Sequence, residues 1–406
     1  MVFADSLICR ECSRTSELAP AYFCEWCFGP LEVRYDYEAI AGSVSREKIA
    51  QGPPTLWRYA DLLPVEASSA TDLGAGFTPM VKADRLAAAL GLGEVWVKND
   101  TLNPTNSFKD RPVTVALTKA LDFGIKTVAC ASTGNLANAV AAHAARAGLD
   151  SYVFVPSDIE PSKIVATAAL GTVVTVDGNY DDVNRLCVQL DDEYPWGIVN
   201  INLRPYYAEG SKTLAFETAE QLGWQLPDHV VVPVASGALL TKIAKGFEEL
   251  VEVGLVDSAE VRISGAQAEG CSPVAVAFAE GNDDVRPQKP DTIAKSLAIG
   301  DPADGYYALR EVRRTGGAVA AVNDEEIVDA IHLLARTEGI LTEPAGGVTV
   351  ATLAKLAREG QVTEEETVVI YITGHGLKAP EVIATGDPMP IPATVDGFKA
   401  QFETQE

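Results

Sequence analysis

Short apolar runs alternate with amphipathic stretches through most of the chain, and this pattern limits the fold more than any other feature. Thr127–Ala131 and Val230–Val234 are runs of almost uninterrupted apolar residues. Stretches with helical periodicity follow them, over residues 134–147 and 239–250, and another helix is predicted over 210–222. Strands that are buried on both faces and joined through helices are typical of parallel sheets. The pattern therefore predicts an α/β fold made of open parallel sheets.

Composition narrows the range of partners. The chain has 406 residues, of which 57 are acidic and 32 are basic, so its formal net charge is −25. A polyanion repels nucleic acid and anionic lipid, so neither is expected as a partner, whereas local positive groups still allow an anionic small substrate. The sequence has no apolar run long enough to cross a bilayer, and its first twelve residues do not resemble a signal peptide. We therefore expect a cytoplasmic protein without a membrane partner.

Changes in the pattern predict the domain boundaries. Residues 1–37 form a small cysteine-rich module, and residues 38–77 read as a connector because proline, glycine and serine interrupt the periodicity. Residues 78–386 contain the alternating strands and helices, and the length suggests two α/β domains there, the smaller at approximately 113–205. Residues 387–406 form a proline-containing tail that we expect on the surface.

The amino-terminal module contains two Cys-x-x-Cys pairs. Cys9 and Cys12 form the first pair, and Cys24 and Cys27 form the second. Four thiolates with this spacing suit a closed, tetrahedral Zn²⁺ site in a zinc ribbon, and a site with four protein ligands has a structural role. Four reduced thiols, or a ribbon that has lost its metal, remain the alternatives. The odd total of seven cysteines in so long a chain favours a reducing compartment over a disulfide framework.

The segment Asn103–Arg111, which reads Asn-Pro-Thr-Asn-Ser-Phe-Lys-Asp-Arg, is the most distinctive in the chain. It places Lys109 between an aromatic residue and the start of a predicted helix. Burial and the positive end of a helix both lower the pKa of an amine and make it nucleophilic, as imine formation requires. The alternative is a surface lysine paired with Asp110.

Three more segments follow predicted strands and come directly before helices or turns. Ser132-Thr133-Gly134-Asn135 could bind a carboxylate through helix amides, and residues 235–241 could bind a phosphate in the same way. In residues 373–378, Thr373 follows the last buried strand, where α/β sheets bind ligands. Ordinary helix capping is the alternative for the first two segments. His375 is either a proton-transfer group or an oriented loop residue.

Together these segments resemble the threonine synthase branch of the pyridoxal-phosphate enzymes with the tryptophan-synthase-β fold. The resemblance covers about residues 74–386. The matching segments are Asn103–Arg111, Ser132–Val140, Gly265–Gly270, Glu343–Ala345 and Thr373–Lys378. It implies two α/β domains with pyridoxal 5′-phosphate between them, beside the zinc-ribbon-like module. It also implies conversion of O-phospho-L-homoserine and water to L-threonine and phosphate, with a phosphorylated amino acid as the small-molecule partner. A homo-oligomer is left open.

The resemblance also assigns roles to individual residues. Lys109 would hold the cofactor as a Schiff base and later move protons. The other implied cofactor contacts are Phe108 beside the ring, Asn135 at the phenolic oxygen, Ser236, Gly237, Ala238, Leu239, Leu240 and Thr241 at the phosphate, and Thr373 at the pyridine nitrogen. Ser132 and Thr133 would hold the substrate carboxylate, and Asn202 and Arg204 its phosphate.

One departure from the family pattern bears on the substrate. The pattern places an arginine for the substrate phosphate where this chain has Tyr207, and Arg204 lies three residues earlier. A related phospho-amino-acid replacement enzyme, such as a cysteate synthase, is therefore the alternative within the class. A non-catalytic regulatory protein with the same fold is the alternative outside it.

Overall fold

The computed structural model describes residues 2–159, 161–178, 180–258, 260–383 and 388–403. Its strands, in chain order, are β1 Ala4–Cys9, β2 Thr15–Ser16, β3 Leu31–Tyr35, β4 Met80–Lys82, β5 Glu94–Asn99, β6 Thr127–Ala131, β7 Asp150–Pro156, β8 Thr172–Val176, β9 Gly197–Ile198, β10 His229–Pro233, β11 Arg262–Ala268, β12 Val319–Val322 and β13 Thr367–Ile372. Its α-helices are α1 Tyr37–Ala41, α2 Arg46–Ala50, α3 Asp84–Leu90, α4 Asp110–Asp122, α5 Asn135–Ala147, α6 Pro161–Leu170, α7 Tyr180–Glu193, α8 Arg204–Ser211, α9 Thr213–Gln221, α10 Ala238–Glu252, α11 Pro273–Ala279, α12 Gly305–Arg314, α13 Asp324–Glu338, α14 Pro344–Arg358, α15 Pro380–Ile383 and α16 Val395–Phe402.

The larger sheet has the strand order β12-β11-β10-β13-β5-β4. Its neighbouring strands are parallel except at the edge, where β4 pairs antiparallel with β5. Every residue of β10 is buried. Val230 and Val232 pack into one apolar cluster with helix α10, while Val231 packs into another with α13 and α14. Helices therefore cover both faces of the sheet, which explains why its strands read as continuous apolar runs.

The smaller sheet has the order β8-β7-β6-β9 and is parallel throughout. The α/β class with parallel sheets, predicted from the alternating pattern, is confirmed. In the larger sheet β13 lies between β10 and β5, so the segments that follow these three strands share one edge. Phosphate-binding and catalytic loops are expected at this carboxyl edge in an α/β sheet.

The amino-terminal module is a small antiparallel sheet in which β1 lies between β2 and β3. It is tied to the rest of the chain by hydrogen bonds between Ala21 N and Asn202 O, at 2.8 Å, and between Lys245 Nζ and Val33 O, at 3.1 Å. The region after it, residues 38–77, consists of the short helices α1 and α2, two 3₁₀ turns and loops.

The carboxyl-terminal segment is exposed or half-buried over residues 388–403 and contains the short helix α16. The boundary predicted at residues 386 and 387 lies outside the described residues. In the described part of the chain, no helix combines the length and apolar character that crossing a membrane would require.

Candidate active site

Lys109 is held where the segment after β5 meets the segment after β13. The backbone N–H of Phe108 donates to the carbonyl of Thr373 at 2.8 Å, and that of His375 donates to the carbonyl of Asn106 at 3.0 Å. Lys109 itself immediately precedes helix α4 and is half-buried. Its amine lies 4.5 Å from the centroid of the Phe108 ring. The aromatic and helix-start environment predicted for the lysine is therefore present.

Asp110 does not lie on the surface. It is fully buried, and it accepts hydrogen bonds from Thr105 N at 2.8 Å and Thr105 Oγ1 at 2.9 Å. His143 Nε2 lies 3.0 Å from Oδ1 of the same carboxyl group. Through these contacts the carboxylate fixes the turn before α4. The alternative, in which Asp110 pairs with Lys109 on the surface, is not what the structure has.

Arg111 anchors the same turn through a buried ionic cluster. Its guanidinium makes two hydrogen bonds with Asp100, at 2.7 and 2.8 Å, and it also binds Glu217, which pairs with Lys98 at 2.6 Å. Burial alone would raise the pKa of Glu217, but Arg111 and Lys98 lower that pKa to about 2. Breaking such a pair leaves an uncompensated buried charge, which costs about 3–5 kcal/mol. This cluster therefore fixes the backbone that presents Lys109.

The segment after β10 begins helix α10 with a residue that must be glycine. Gly237 has φ of +93°, and an added Cβ would lie 2.5 Å from the carbonyl oxygen of Asp304. The amide of Asp304 in turn donates to the carbonyl of Ser236 at 2.8 Å. Leu239 and Leu240 pack in the apolar cluster that Phe108 also contacts. The helix start predicted to bind phosphate, residues 236–241, therefore shares an apolar cluster with the lysine segment.

The smaller sheet contributes the start of helix α5. The side-chain amide of Asn135 donates to Glu343 Oε1 at 2.8 Å, and the backbone N–H of Glu343 donates to the carbonyl of Gly374 at 3.0 Å. Burial raises the pKa of Glu343 to about 6, although Asn135, Lys378 and Lys109 act in the opposite direction. Burial also lowers the pKa of Lys378. Glu343 thus joins Asn135 to Gly374, the residue that follows Thr373.

Ser132 and Thr133 precede this helix as predicted. Ser132 is buried and its hydroxyl accepts from the Gly134 amide at 3.3 Å, while Thr133 is half-buried. Thr373 is buried directly after β13. These residues therefore lie on the loops that come together around Lys109, Asn135 and Glu343.

The two residues predicted to hold the substrate phosphate both bind other groups of the chain. The side chain of Asn202 donates to Asp191 Oδ1 at 2.5 Å and to Trp196 O at 2.8 Å, and it accepts from Ile198 N at 2.8 Å. These bonds close its own loop and do not bring the amide to Lys109. Arg204 binds Asp304 Oδ2 at 2.5 Å and so lies beside the Ser236 segment.

The four cysteines of the amino-terminal module converge. Their sulfur atoms all lie within 4.8 Å of one another, with Cys9 and Cys27 at 3.4 Å and Cys12 and Cys24 at 3.7 Å. A residue with positive φ follows each Cys-x-x-Cys pair, Ser13 after the first and Phe28 after the second. Backbone N–H groups of Trp26 and Cys27 lower the pKa of Cys24 to about 7, which favours the thiolate.

Comparisons with known proteins agree with this geometry. Residues 71–374 match the model of a family described as pyridoxal-phosphate dependent enzyme. A threonine synthase from Methanocaldococcus jannaschii is 40% identical over 393 residues, which is 96% of this chain and 96% of the relative. A threonine synthase from Methanosarcina acetivorans is 40% identical over 399 residues, 97% of each chain. The chain belongs to the threonine synthase family of pyridoxal-phosphate-dependent enzymes.

A solved structure supports the fold of this threonine synthase family member. Diaminopropionate ammonia lyase from Escherichia coli superposes with a TM-score of 0.66 at 20% identity, covering 84% of this chain and 92% of the other. Likeness at this identity extends to the fold alone. The resemblance predicted from the sequence segments is confirmed by the family and its threonine synthase relatives.

The residues around Lys109 fit the cofactor of the threonine synthase family. Pyridoxal phosphate needs an amine, a cationic environment for its phosphate and a partner for its ring nitrogen. Lys109 supplies the amine. The start of α10 supplies a helix terminus that suits an anion, and any side chain at Gly237 would fill the space there against Asp304. The hydroxyl of Thr373 lies at the end of the strand between β5 and β10.

Sequence reasoning did not assign roles to three residues of the site. Tyr207 accepts a hydrogen bond from Lys109 Nζ at 2.9 Å. Glu343 holds Asn135, and Asp304 holds both Arg204 and the Ser236 segment. The sequence did draw attention to Tyr207, because it stands where the threonine synthase pattern has arginine. Glu343 lies in one of the segments that match the family. Asp304 does not directly follow a strand and belongs to no matching segment, so no local pattern indicated its role.

Proposed function

We propose that this chain is a threonine synthase that converts O-phospho-L-homoserine and water to L-threonine and phosphate. The observation that carries the proposal is the amine of Lys109, held where the loops after β5 and β13 meet and hydrogen-bonded to Tyr207. The chain also aligns over almost its full length with relatives named threonine synthase. Pyridoxal phosphate, when bound, supplies an aldehyde that bonds to amines and a ring that withdraws electrons from the substrate carbons.

The chain's own residues would hold that group in four places. We assign its phosphate to the amides and hydroxyls of residues 236–241, because the positive end of helix α10 favours an anion. Asn135 would bind its phenolic oxygen, Phe108 would lie beside its ring, and Thr373 would meet its pyridine nitrogen. A neutral hydroxyl at that nitrogen leaves the ring a weaker electron sink than a carboxylate would, which suits elimination and replacement at Cβ and Cγ.

Lys109 has two tasks in this proposal. It binds the cofactor covalently between turnovers, and once the substrate amine has displaced it, the free amine moves protons at Cα and Cβ. Phosphate leaves from Cγ, which gains a proton and ends the reaction as a methyl group. Cβ loses a proton and gains the hydroxyl of water, whose other proton balances the released phosphate. Ser132 and Thr133 would hold the substrate carboxylate at the start of helix α5.

The test is identification of the amino-acid product. With O-phosphohomoserine, the purified enzyme should release phosphate and threonine in equal amounts, and Lys109→Ala should abolish both turnover and the visible absorbance of lysine-bound cofactor without unfolding the protein. Because phosphate release alone does not separate the candidates, O-phosphoserine with sulfite is the second substrate pair. Cysteate from that pair, without threonine from the first, would identify a cysteate synthase instead. Cofactor absorbance without either product would favour a non-catalytic protein.

We also propose that the four cysteines bind one structural Zn²⁺ and that the module is a zinc ribbon. Thiolates bound to Zn²⁺ at about 2.3 Å in a tetrahedron lie about 3.8 Å apart. The sulfur atoms of Cys9 and Cys27 lie 3.4 Å apart and those of Cys12 and Cys24 lie 3.7 Å apart, which is close to this value. With four protein ligands the ion has no open position, so its role would be structural.

Metal analysis tests the zinc proposal. Protein purified without chelators should contain about one zinc ion per chain. Cys24→Ser should lower the zinc content and the thermal stability of the module. Cys271→Ser is the matched control, because Cys271 is a buried free cysteine outside the module. A zinc content near zero in fully reduced wild-type protein would instead identify a ribbon without metal.

A further inference from the structure

Tyr207 contacts the amine that the reaction uses. Lys109 Nζ donates a hydrogen bond to Tyr207 Oη at 2.9 Å, and it lies 5.5 Å from the centroid of the tyrosine ring. In the parts of the chain that the structure describes, no other side chain accepts a hydrogen bond from this amine. The two residues are 98 positions apart, so the contact is created by the fold.

The position of Tyr207 is fixed by the packing of helix α8. Gly210, one turn further along, packs against the backbone of Arg111 and Pro112, and any added Cβ would overlap that backbone. Helix α8 therefore lies directly on the first turn of α4, next to Lys109. Glu209 of the same helix also forms buried ion pairs, with Lys212 at 2.7 Å and with Lys242 of α10 at 2.9 Å. The tyrosine is thus held against the amine by two buried contacts of its own helix.

We propose that Tyr207 is a positioning residue, whose hydroxyl holds the free amine of Lys109 in place while that amine takes protons from Cα and Cβ of the substrate and returns protons to Cα and Cγ. A lysine ammonium has three donors and no acceptor, whereas a neutral amine also has a lone pair. A tyrosine hydroxyl accepts from the first and donates to the second. One hydroxyl can therefore hold the amine in both of its protonation states. This inference rests on the proposed function of Lys109.

A different role for Tyr207 has a different kinetic signature. The family pattern has an arginine at this position for the substrate phosphate, and an uncharged hydroxyl that replaced it would affect substrate binding. Loss of such a contact raises KM with little change in kcat. Loss of a group that holds Lys109 lowers kcat and slows proton transfer at Cα, because the amine is no longer aligned.

The experiment compares wild type with Tyr207→Phe and Tyr207→Leu as holoenzymes. The measurements are kcat and KM for O-phosphohomoserine and the rate at which Cα of the amino acid exchanges its proton for deuterium in D₂O. Both variants should lose roughly ten- to hundredfold in kcat and in the exchange rate, as expected for a lost hydrogen bond to a charged group, with KM almost unchanged. Cofactor absorbance and circular dichroism should match wild type.

Tyr206→Phe is the matched control. Tyr206 is the neighbouring residue on the same helix, but its hydroxyl donates to the carbonyl of Ala19 at 2.9 Å. Its removal should lower thermal stability and leave the exchange rate at the wild-type value. If either Tyr207 variant folds and exchanges at the wild-type rate, or raises KM alone, the proposal is overturned. If the wild-type enzyme makes no threonine at all, the proposed function has failed instead. Turnover of the wild type therefore distinguishes failure of the proposed function from failure of the proposal for Tyr207.

Discussion

Glu343 shows how a single buried carboxyl group can make the site depend on pH. It is 6% exposed and is held between Asn135 and the backbone at Gly374. Burial raises its pKa from the ordinary 4.5 to about 6, since Asn135, Lys378 and Lys109 only partly compensate for the lost water. The folded protein therefore binds this proton more tightly than the unfolded chain does. The resulting stabilisation is present below about pH 4.5 and is lost as pH rises through about 6.

Glu343→Gln should remove this pH dependence. The amide keeps an oxygen for Asn135 but carries no charge, so the variant should gain about 2 kcal/mol in unfolding free energy relative to wild type between about pH 4 and pH 7. Denaturant unfolding at both pH values measures the difference. The exposed Glu359→Gln is the control and should show no such gain. A difference between Glu343→Gln and wild type that stays constant with pH would mean that the carboxyl group is not destabilised by burial.

Strands and the helices that follow them could largely be predicted at the level of elements. The apolar runs at β6, β10 and β13 identify buried strands because helices cover both faces of a parallel sheet, and the chemistry-bearing segments come where such strands end. Boundaries were less predictable. The helix expected over 210–222 consists of α8 and α9 and begins at Arg204. Pro205 at the second position of α8 was the overlooked signal, since proline fits the first turn of a helix.

Contacts between distant elements could not be predicted from one sequence. The bonds of Tyr207 to Lys109, of Arg204 to Asp304 and of Asn135 to Glu343 span 98, 100 and 208 residues. No local periodicity or motif encodes such pairs, because they depend on which loops the whole fold brings together. Asn202 illustrates the same limit, since an amide predicted to bind phosphate closes its own loop instead.

At the scale of the whole molecule, the amino-terminal module is part of the catalytic body. Glu32 of β3 pairs with Lys242 of α10 at 2.7 Å, and Tyr35 donates to Glu209 of α8 at 2.8 Å. Burial alone would raise the pKa of Glu32, but Lys242, Lys245 and Arg10 lower that pKa to about 2. Separating the module would remove Glu32 from the buried Lys242 and the hydroxyl of Tyr35 from the buried Glu209. The module therefore supports the helices that carry Tyr207 and residues 236–241, which we call the cofactor-phosphate segment after its proposed role.

Three parts of the molecule meet at Asp304. Its carboxylate lies between Arg204 of helix α8, at 2.5 Å, and Arg10 of the amino-terminal module, at 3.6 Å. Its backbone amide binds the carbonyl of Ser236 in the cofactor-phosphate segment, at 2.8 Å. Arg204 is a quarter exposed, so its guanidinium has donors left for a substrate phosphate, although Asp304 already occupies one. A role of Arg204 in substrate binding and a role in supporting the cofactor-phosphate segment therefore predict different effects when its guanidinium is removed.

Arg204→Ala separates these roles. If the guanidinium holds the substrate phosphate, as we expect, its loss removes a charge-assisted hydrogen bond worth roughly 1.5–3 kcal/mol and raises KM for O-phosphohomoserine about ten- to hundredfold. Cofactor affinity should stay unchanged, because the bond from Asp304 to Ser236 is made by the backbone and Arg10 still pairs with the carboxylate. Steady-state kinetics and titration of the apoenzyme with pyridoxal phosphate measure the two quantities. Arg10→Ala is the control and should lower thermal stability without changing KM. A weakened cofactor affinity with an unchanged KM in Arg204→Ala would show that Arg204 supports the cofactor segment and that another group holds the substrate phosphate.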